Sequence, residues 1–295
     1  MTQKQANTLF LLATIGWGAS YLFTKYAIAE TLPFALVTFR FSIAFILTFI
    51  IFRKKLIRTN KGTIFASFIL GLILCCTFSA FGYAMQTANP ASAGFLVATT
   101  VIFVPMILML VTRKLPSRQI ALGTVVTLIG LMLFTLKGSI ELERGMILCL
   151  ATAILYAVHI VTNNFFAKKH DPLQLGIYQL GFTAIFGLIA MLSYEPISYP
   201  VTSKGWVSML LLAVICTAFG LVVQSLAQGA TSAEATGFIF SLEPIFAAIF
   251  AFIFLGEILQ GQEWGGAFLI FVGVLIANYT PKKQTAINKK LYRTE

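Results

Sequence analysis

The chain is short of charge. Only 11% of its 295 residues are Asp, Glu, Lys or Arg, where a soluble domain carries about a quarter. With 58% hydrophobic residues, the chain cannot cover itself with a polar surface, and a large soluble globule is excluded. Acid is the scarcer sign: 10 Asp and Glu stand against 21 Lys and Arg, a net charge of +11. In a soluble protein that excess would point to nucleic acid. Here the basic residues fall in short turns between apolar runs, so no nucleic-acid partner is expected and the charge orients the chain in a membrane. Cys75, Cys76, Cys149 and Cys216 lie inside apolar runs. They are expected to be small, buried, free thiols, and no pair has the spacing of a metal site. No HExxH, GxSxG or CxxC occurs, no span holds a pair of deep acids, and no Walker-type loop is present. An enzyme, a cofactor and direct ATP coupling are therefore not expected. No loop is long enough for a soluble domain.

What is there is a series of apolar windows of about 20 residues, the length that crosses a bilayer. Ten can be drawn: 8–29, 35–52, 64–86, 91–111, 117–136, 145–167, 173–193, 206–228, 233–255 and 262–280. The first is longer than a signal-peptide core of about 7–15 residues and has a counterpart later, so it reads as a retained helix. The fold class is an all-α integral membrane protein with ten transmembrane helices. Orientation follows from Lys and Arg. With the N-terminus inside, only Lys137, Arg144 and Lys204 fall outside, while Lys25 and Arg40 lie within spans. All the other basic residues fall inside, so both termini are expected in the cytoplasm and the protein in the inner membrane, with the lipid bilayer as partner.

The halves repeat. "WGASYLFTKYAIAETLPFALVTFR" from Trp17 aligns with "YAVHIVTNNFFAKKHDPLQLGIYQ" from Tyr156, which sets Pro33 on Pro172. Further on, Gln86 falls on Gln228, and Gly123 and Gly130 fall on Gly266 and Gly273. The expected organisation is a first repeat over 1–144, a second over 145–281 and a basic cytoplasmic tail over 282–295. Five is odd, so the second five-helix repeat enters the membrane upside down. Two inverted five-helix repeats are a transporter pattern.

The segment "GWGASYLFTKYA" with Pro33 and Arg40, and later "TSAEATGFIFSLEPIFAAIFAFIFLGE", resemble the drug/metabolite transporter superfamily, in particular its EamA family. The resemblance covers nearly the whole chain in two copies. It implies a ten-helix inner-membrane carrier of small metabolites, most often an exporter. It also implies a central cavity lined by the first, third and fourth helices of each repeat, with the fifth helices peripheral. The chain departs from internal symmetry in three places: Pro105 rather than Ile102 carries the proline, Arg113-Lys114 answers Gly256-Glu257, and Gln179 answers Arg40.

Polar residues three or four apart share a helix face. Trp17, Ser20 or Tyr21, and Thr24 form one such face; Thr152, Tyr156, His159 and Asn163 form its counterpart. Polar groups facing lipid are costly, so both faces should point inward. There they either line a cavity or tie helices together at about 0.6 kcal/mol per bond. Tyr83, Gln86, Thr99, Gln224 and Ser241 are further candidates on the helices that the resemblance implicates. Trp17 and Tyr156 sit near midplane, where they could stack on a flat or cationic substrate. His159, the one intramembrane histidine, either exchanges a proton or is a neutral structural group. Glu243 lies ten residues into its span, roughly 15 Å deep, and His159 and Trp17 lie at similar depth. Glu243 and His159 are thus a candidate pair, for proton coupling or for structure. Pro244 removes the donor that the Phe240 carbonyl would use, which marks a helix break. Arg40, roughly 8 Å below the outer surface, could attract anions or carboxylates, but it is expected to snorkel or make a structural pair and is a poorer partner for Glu243. The glycines at 123, 130, 266 and 273 suit close helix packing, and spans 5 and 10 offer a homodimer contact. The function expected is a secondary transporter of small-molecule substrates. An exporter of amino acids or related compounds, working by alternating access around a midplane cavity, is the leading reading. The alternatives are a multidrug or organic-cation efflux carrier, and a channel.

Overall fold

A computed structural model of the chain describes residues 2–88, 90–135, 144–255 and 261–278. The basic tail and the Gly256-Glu257 turn lie outside the described residues. Those residues form helices and no strands. Seven helices are long and apolar enough to cross a membrane, and three shorter apolar ones accompany them.

Taken in chain order, the helices are α1 (Gln3–Ile28), α2 (Pro33–Leu56), α3 (Lys61–Thr87), α4 (Pro90–Ala98 continuing as Thr100–Thr112) and α5 (Arg118–Thr135). Then come α6 (Arg144–Ala167), α7 (Pro172–Tyr194), α8 (Ser203–Gln228), α9 (Ala233–Phe240 continuing as Glu243–Leu255) and α10 (Gly261–Asn278).

Local chemistry sets the starts. Asn60 accepts from the Thr63 amide, Asp171 from Leu173 and Gln174, Thr202 from Gly205 and Ser232 from Ala235. Each side chain satisfies donors that a helix start leaves bare. Pro33 and Pro172 occupy the first helical position of α2 and α7, where a missing N–H costs nothing. Leu32 offers α2 no cap of its own. Glu195, from the turn after α7, supplies it by accepting from the Phe34 and Ala35 amides and from the Tyr83 hydroxyl. Glu30, after α1, does the same at the start of α8, accepting from the Val201 and Thr202 amides and the Thr202 hydroxyl. Each half of the chain thus caps a helix of the other.

The halves interlock through counterpart helices. α2 packs on α7 and α5 on α10. Both pairs run antiparallel. Gly187 meets Thr38, Gly181 meets Phe45, and the Gln174 amide donates to the Lys55 carbonyl. A Cβ on Gly123 would lie 2.7 Å from that of Ala277, and one on Gly130 would lie 2.6 Å from the Ile270 nitrogen. The seam closes only because these positions lack a side chain. The glycines thus serve the contact within the chain, and a homodimer through these helices would have to use their outer faces. Those faces are apolar and exposed, with Phe268, Trp264 and Leu122 among them. Cys75, Cys149 and Cys216 are buried free thiols, but Cys76 is exposed. It follows Cys75 by about 100° around α3, which turns it from the core to the outer face.

Candidate functional site

Three irregularities in the helices build the site. α4 breaks at Thr99 and α9 at Ser241-Leu242, positions that the repeat sets against each other. At both, the hydroxyl turns back on a carbonyl three residues earlier: Thr99 on Leu96, Ser241 on Phe238. Such back-bonding competes with the helix ladder. Pro244 lies at the second position of the new segment, and the helix before it ends at Phe240, the residue whose carbonyl the proline leaves without an i+4 donor. The matching break at Thr99 has no proline beside it, so the turned-back hydroxyl is what the two breaks share.

The third irregularity is a π-helical stretch in α8, Leu212–Phe219. A π turn frees backbone groups and often marks a functional site. The Trp17 indole donates to the Cys216 carbonyl at 2.6 Å, and the Thr217 hydroxyl donates to the Leu212 carbonyl five residues back. Gly220 makes room for the indole, since a Cβ there would lie 2.6 Å from Trp17 Nε1.

These features surround a small, partly open cavity of about 40 Å³, room for about three waters. Trp17, Ser20 and Tyr21 of α1 line one side, with Thr77, Phe78 and Phe81 of α3 and Val97 of α4. Thr152 and Tyr156 of α6, Phe240 and Glu243 of α9, and Arg40 of α2 complete the wall. The rings of Trp17, Tyr156 and Phe240 meet one another with centroids 4.9–6.3 Å apart. α8 contributes no lining side chain, although the resemblance implied one, and α2 contributes Arg40, which it did not.

Arg40 is the main correction to the sequence reading. It does not snorkel: it is 3% exposed. Its Nε donates to the Thr217 hydroxyl on the π turn, and its guanidinium lies 4.6 Å from the Phe78 ring centre. The π turn explains why depth counting misjudged it, because the partner sits on another helix whose irregularity leaves no sequence mark. Glu243 faces the same cavity beside the Tyr21 hydroxyl, and its Oε2 is buried with no hydrogen-bond partner.

His159 does not pair directly with Glu243. Its Nε2 meets Gln179 Oε1 at 3.0 Å, and its Nδ1 has no partner. It belongs to a polar network behind the cavity wall. Gln179 donates to Ser225, Asn163 bonds to Ser225 and Gln228, Gln224 donates to Gln228, and Gln224 accepts from the Tyr156 hydroxyl. Tyr156 is therefore the one candidate that both lines the cavity and joins the network. It also stacks on His159, with centroids 5.8 Å apart.

The remaining candidates disperse. Thr24 is buried with an unpartnered hydroxyl and lies off the cavity wall. Tyr83 is at the far end of α3 on Glu195. Thr99 and Ser241 mark the two breaks. Sequence reasoning missed Thr217, Ser225 and Gln228 as partners, although the one-residue steps Gln224-Ser225 and Gln228 on α8 already share a helix face. Among the described residues no cluster of His, Cys, Asp and Glu could hold a metal ion.

With this geometry established, comparison with known proteins is informative. The model of the EamA-like transporter family matches residues 4–136 and again 143–279, and the chain belongs to that family. An uncharacterized transporter of Archaeoglobus fulgidus is 29% identical over 92% of this chain and 84% of its own length. A protein of Salmonella typhimurium named "probable amino-acid metabolite efflux pump" is 26% identical over 92% of this chain and 94% of its own. A protein of known crystal structure superposes with a TM-score of 0.78 at 17% identity, covering 93% of this chain and 96% of that one, which bears on the fold alone. The protein is a multi-pass membrane protein of a transporter family.

Proposed function

We propose that this family member is a secondary carrier that exports amino acids or related small metabolites across the cell's inner membrane. The observation that carries the reading is the largely apolar cavity that holds Arg40 and Glu243 and is walled by helices from both halves. The antiparallel contacts of α2 with α7 and of α5 with α10 support reading the chain as two inverted repeats of five crossing helices. Two such repeats exchange conformations at little net cost, which lets a central site open to either side in turn. The cavity is too small for a metabolite as it stands, so the reading requires it to widen when substrate binds. The excess of Lys and Arg in the inward turns supports cytoplasmic termini. The amino-acid class is supported by the name of the Salmonella relative and by a cavity that carries both signs of charge.

The test is accumulation in cells with and without the gene, loaded with amino acids by feeding dipeptides at two pH values. The expected outcome is faster loss of one or more amino acids from cells that carry the gene. Equal retention of every amino acid, in cells where the protein is present in the membrane, overturns the exporter reading.

A further inference from the structure

We infer that Arg40 and Glu243 form a two-ended clamp for a zwitterion, with Arg40 taking a carboxylate and Glu243 taking an ammonium group; this rests on the cavity being the transport site. Both residues are almost fully buried, and both line the same cavity. Burying opposite charges is costly unless each is paired and hydrogen-bonded. Here they do not pair with each other. Arg40 spends its Nε on Thr217, and among the described residues no hydrogen bond or ion pair engages its two terminal nitrogens. Glu243 leaves its Oε2 without a partner.

Each free group therefore has an unfilled valence toward the same small space. A guanidinium with Nε tied back presents its outer fork, the edge that grips a carboxylate with two parallel bonds. Thr217 is the positioning residue for that fork. Opposite, an ammonium group at Glu243 would meet the faces or edges of Tyr21, Trp17 and Phe240, and aromatic faces attract cations. A molecule with one charge would satisfy one wall and leave the other buried and bare. An α-amino acid satisfies both. The side chain would then extend toward the apolar part of the wall at Phe78 and Phe81, which favours neutral side chains.

The test uses the purified full-length protein in detergent and in proteoliposomes. Binding is read by thermal shift and calorimetry for the neutral L-amino acids from glycine to leucine. The best binder is then compared with its amide, which lacks the carboxylate, and its N-acetyl form, which lacks the ammonium. The expected result is a loss of about tenfold to a hundredfold for each blocked form, the usual weight of a hydrogen bond to a charged group. Arg40→Gln should remove the preference for the acid over the amide, Glu243→Gln should remove the preference for the amine over the N-acetyl form, and Thr217→Ser should keep what Thr217→Val loses. Because the analogues are compared on the unaltered protein, a variant that fails to fold leaves the test intact. Equal binding of acid and amide overturns the clamp, as does the absence of saturable binding by every amino acid. Counterflow of an uncharged or cationic metabolite in the same vesicles would then preserve the carrier reading without the clamp.

Discussion

The two halves of the chain carry matching positions to opposite ends. In the second half, His159, Asn163 and Gln179 are knitted to one another through Ser225 and Gln228. Their counterparts in the first half are Ser20, Thr24 and Arg40. Ser20 and Arg40 face the cavity, and the Thr24 hydroxyl makes no hydrogen bond. At these positions one repeat has joined its polar groups into a network, leaving only His159 Nδ1 without a partner, and the other has turned its groups toward the cavity. A duplicated sequence can thus divide labour at matching positions, although Glu243 of the second half also faces the cavity.

Exchanging charge for amide at the paired positions should separate these roles most strongly. Arg40→Gln is expected to lower transport about tenfold to a hundredfold, with a small change in thermal unfolding. Gln179→Leu is expected to do the reverse, since it takes the partner from His159 Nε2 and one donor from Ser225 while leaving the cavity charges in place. If both variants lose stability and activity in parallel, the division of labour fails.

Next in size is Asn163→Leu. It strands the partners on Ser225 and Gln228, and a buried group left unsatisfied costs about 1–3 kcal/mol. Thermal unfolding in detergent should show the loss. The counterpart substitution, Thr24→Val, removes a hydroxyl with no partner and keeps the shape of the side chain. It should be neutral or slightly stabilising, within about 0.5 kcal/mol. A Thr24→Val protein as unstable as Asn163→Leu would show that Thr24 has a partner in the membrane.

The smallest effect is expected where the halves cap each other outside the membrane. Hydrogen bonds from the Thr202 hydroxyl and amide, and from Val201, hold the Glu30 carboxyl below its ordinary pKa. A depressed carboxylate contributes stability above its unfolded pKa, and that contribution fades as pH falls through the lower folded value. Unfolding measured from neutral pH down toward pH 3 should therefore show an acid-side decline that is shallower in Glu30→Gln. Identical pH profiles would show that the cap adds nothing to stability.

Much of the fold was legible because a bilayer imposes a coarse rule. Each crossing segment needs about 20 apolar residues, and turns collect Pro, Asn, Asp and basic residues. The helix starts at Asn60, Asp171, Thr202 and Ser232 could be read from side-chain chemistry alone. Thr99 and Ser241, candidates on the helices that the resemblance implicates, sit at the two breaks. The site was less legible. Trp17, Tyr156 and Glu243 share the cavity, and their depth along separate helices suggested as much. His159 missed Glu243 because depth fixes height and not the direction a side chain takes around its helix. Arg40 was misjudged for the opposite reason: its height suggested the surface, yet α8 covers it.

The sequence by itself determined the helical class, the apolarity of the helices, and the family. Those features depend on residues near one another along the chain, or on composition summed over a span. The tertiary structure alone decided which polar groups were satisfied and which were left facing a cavity. That outcome depends on the rotation of one helix against another, and here on a π turn in α8 that offsets Cys216 and Thr217 toward Trp17 and Arg40. No local pattern encodes that offset, because it is stabilised by partners some 180–200 residues away.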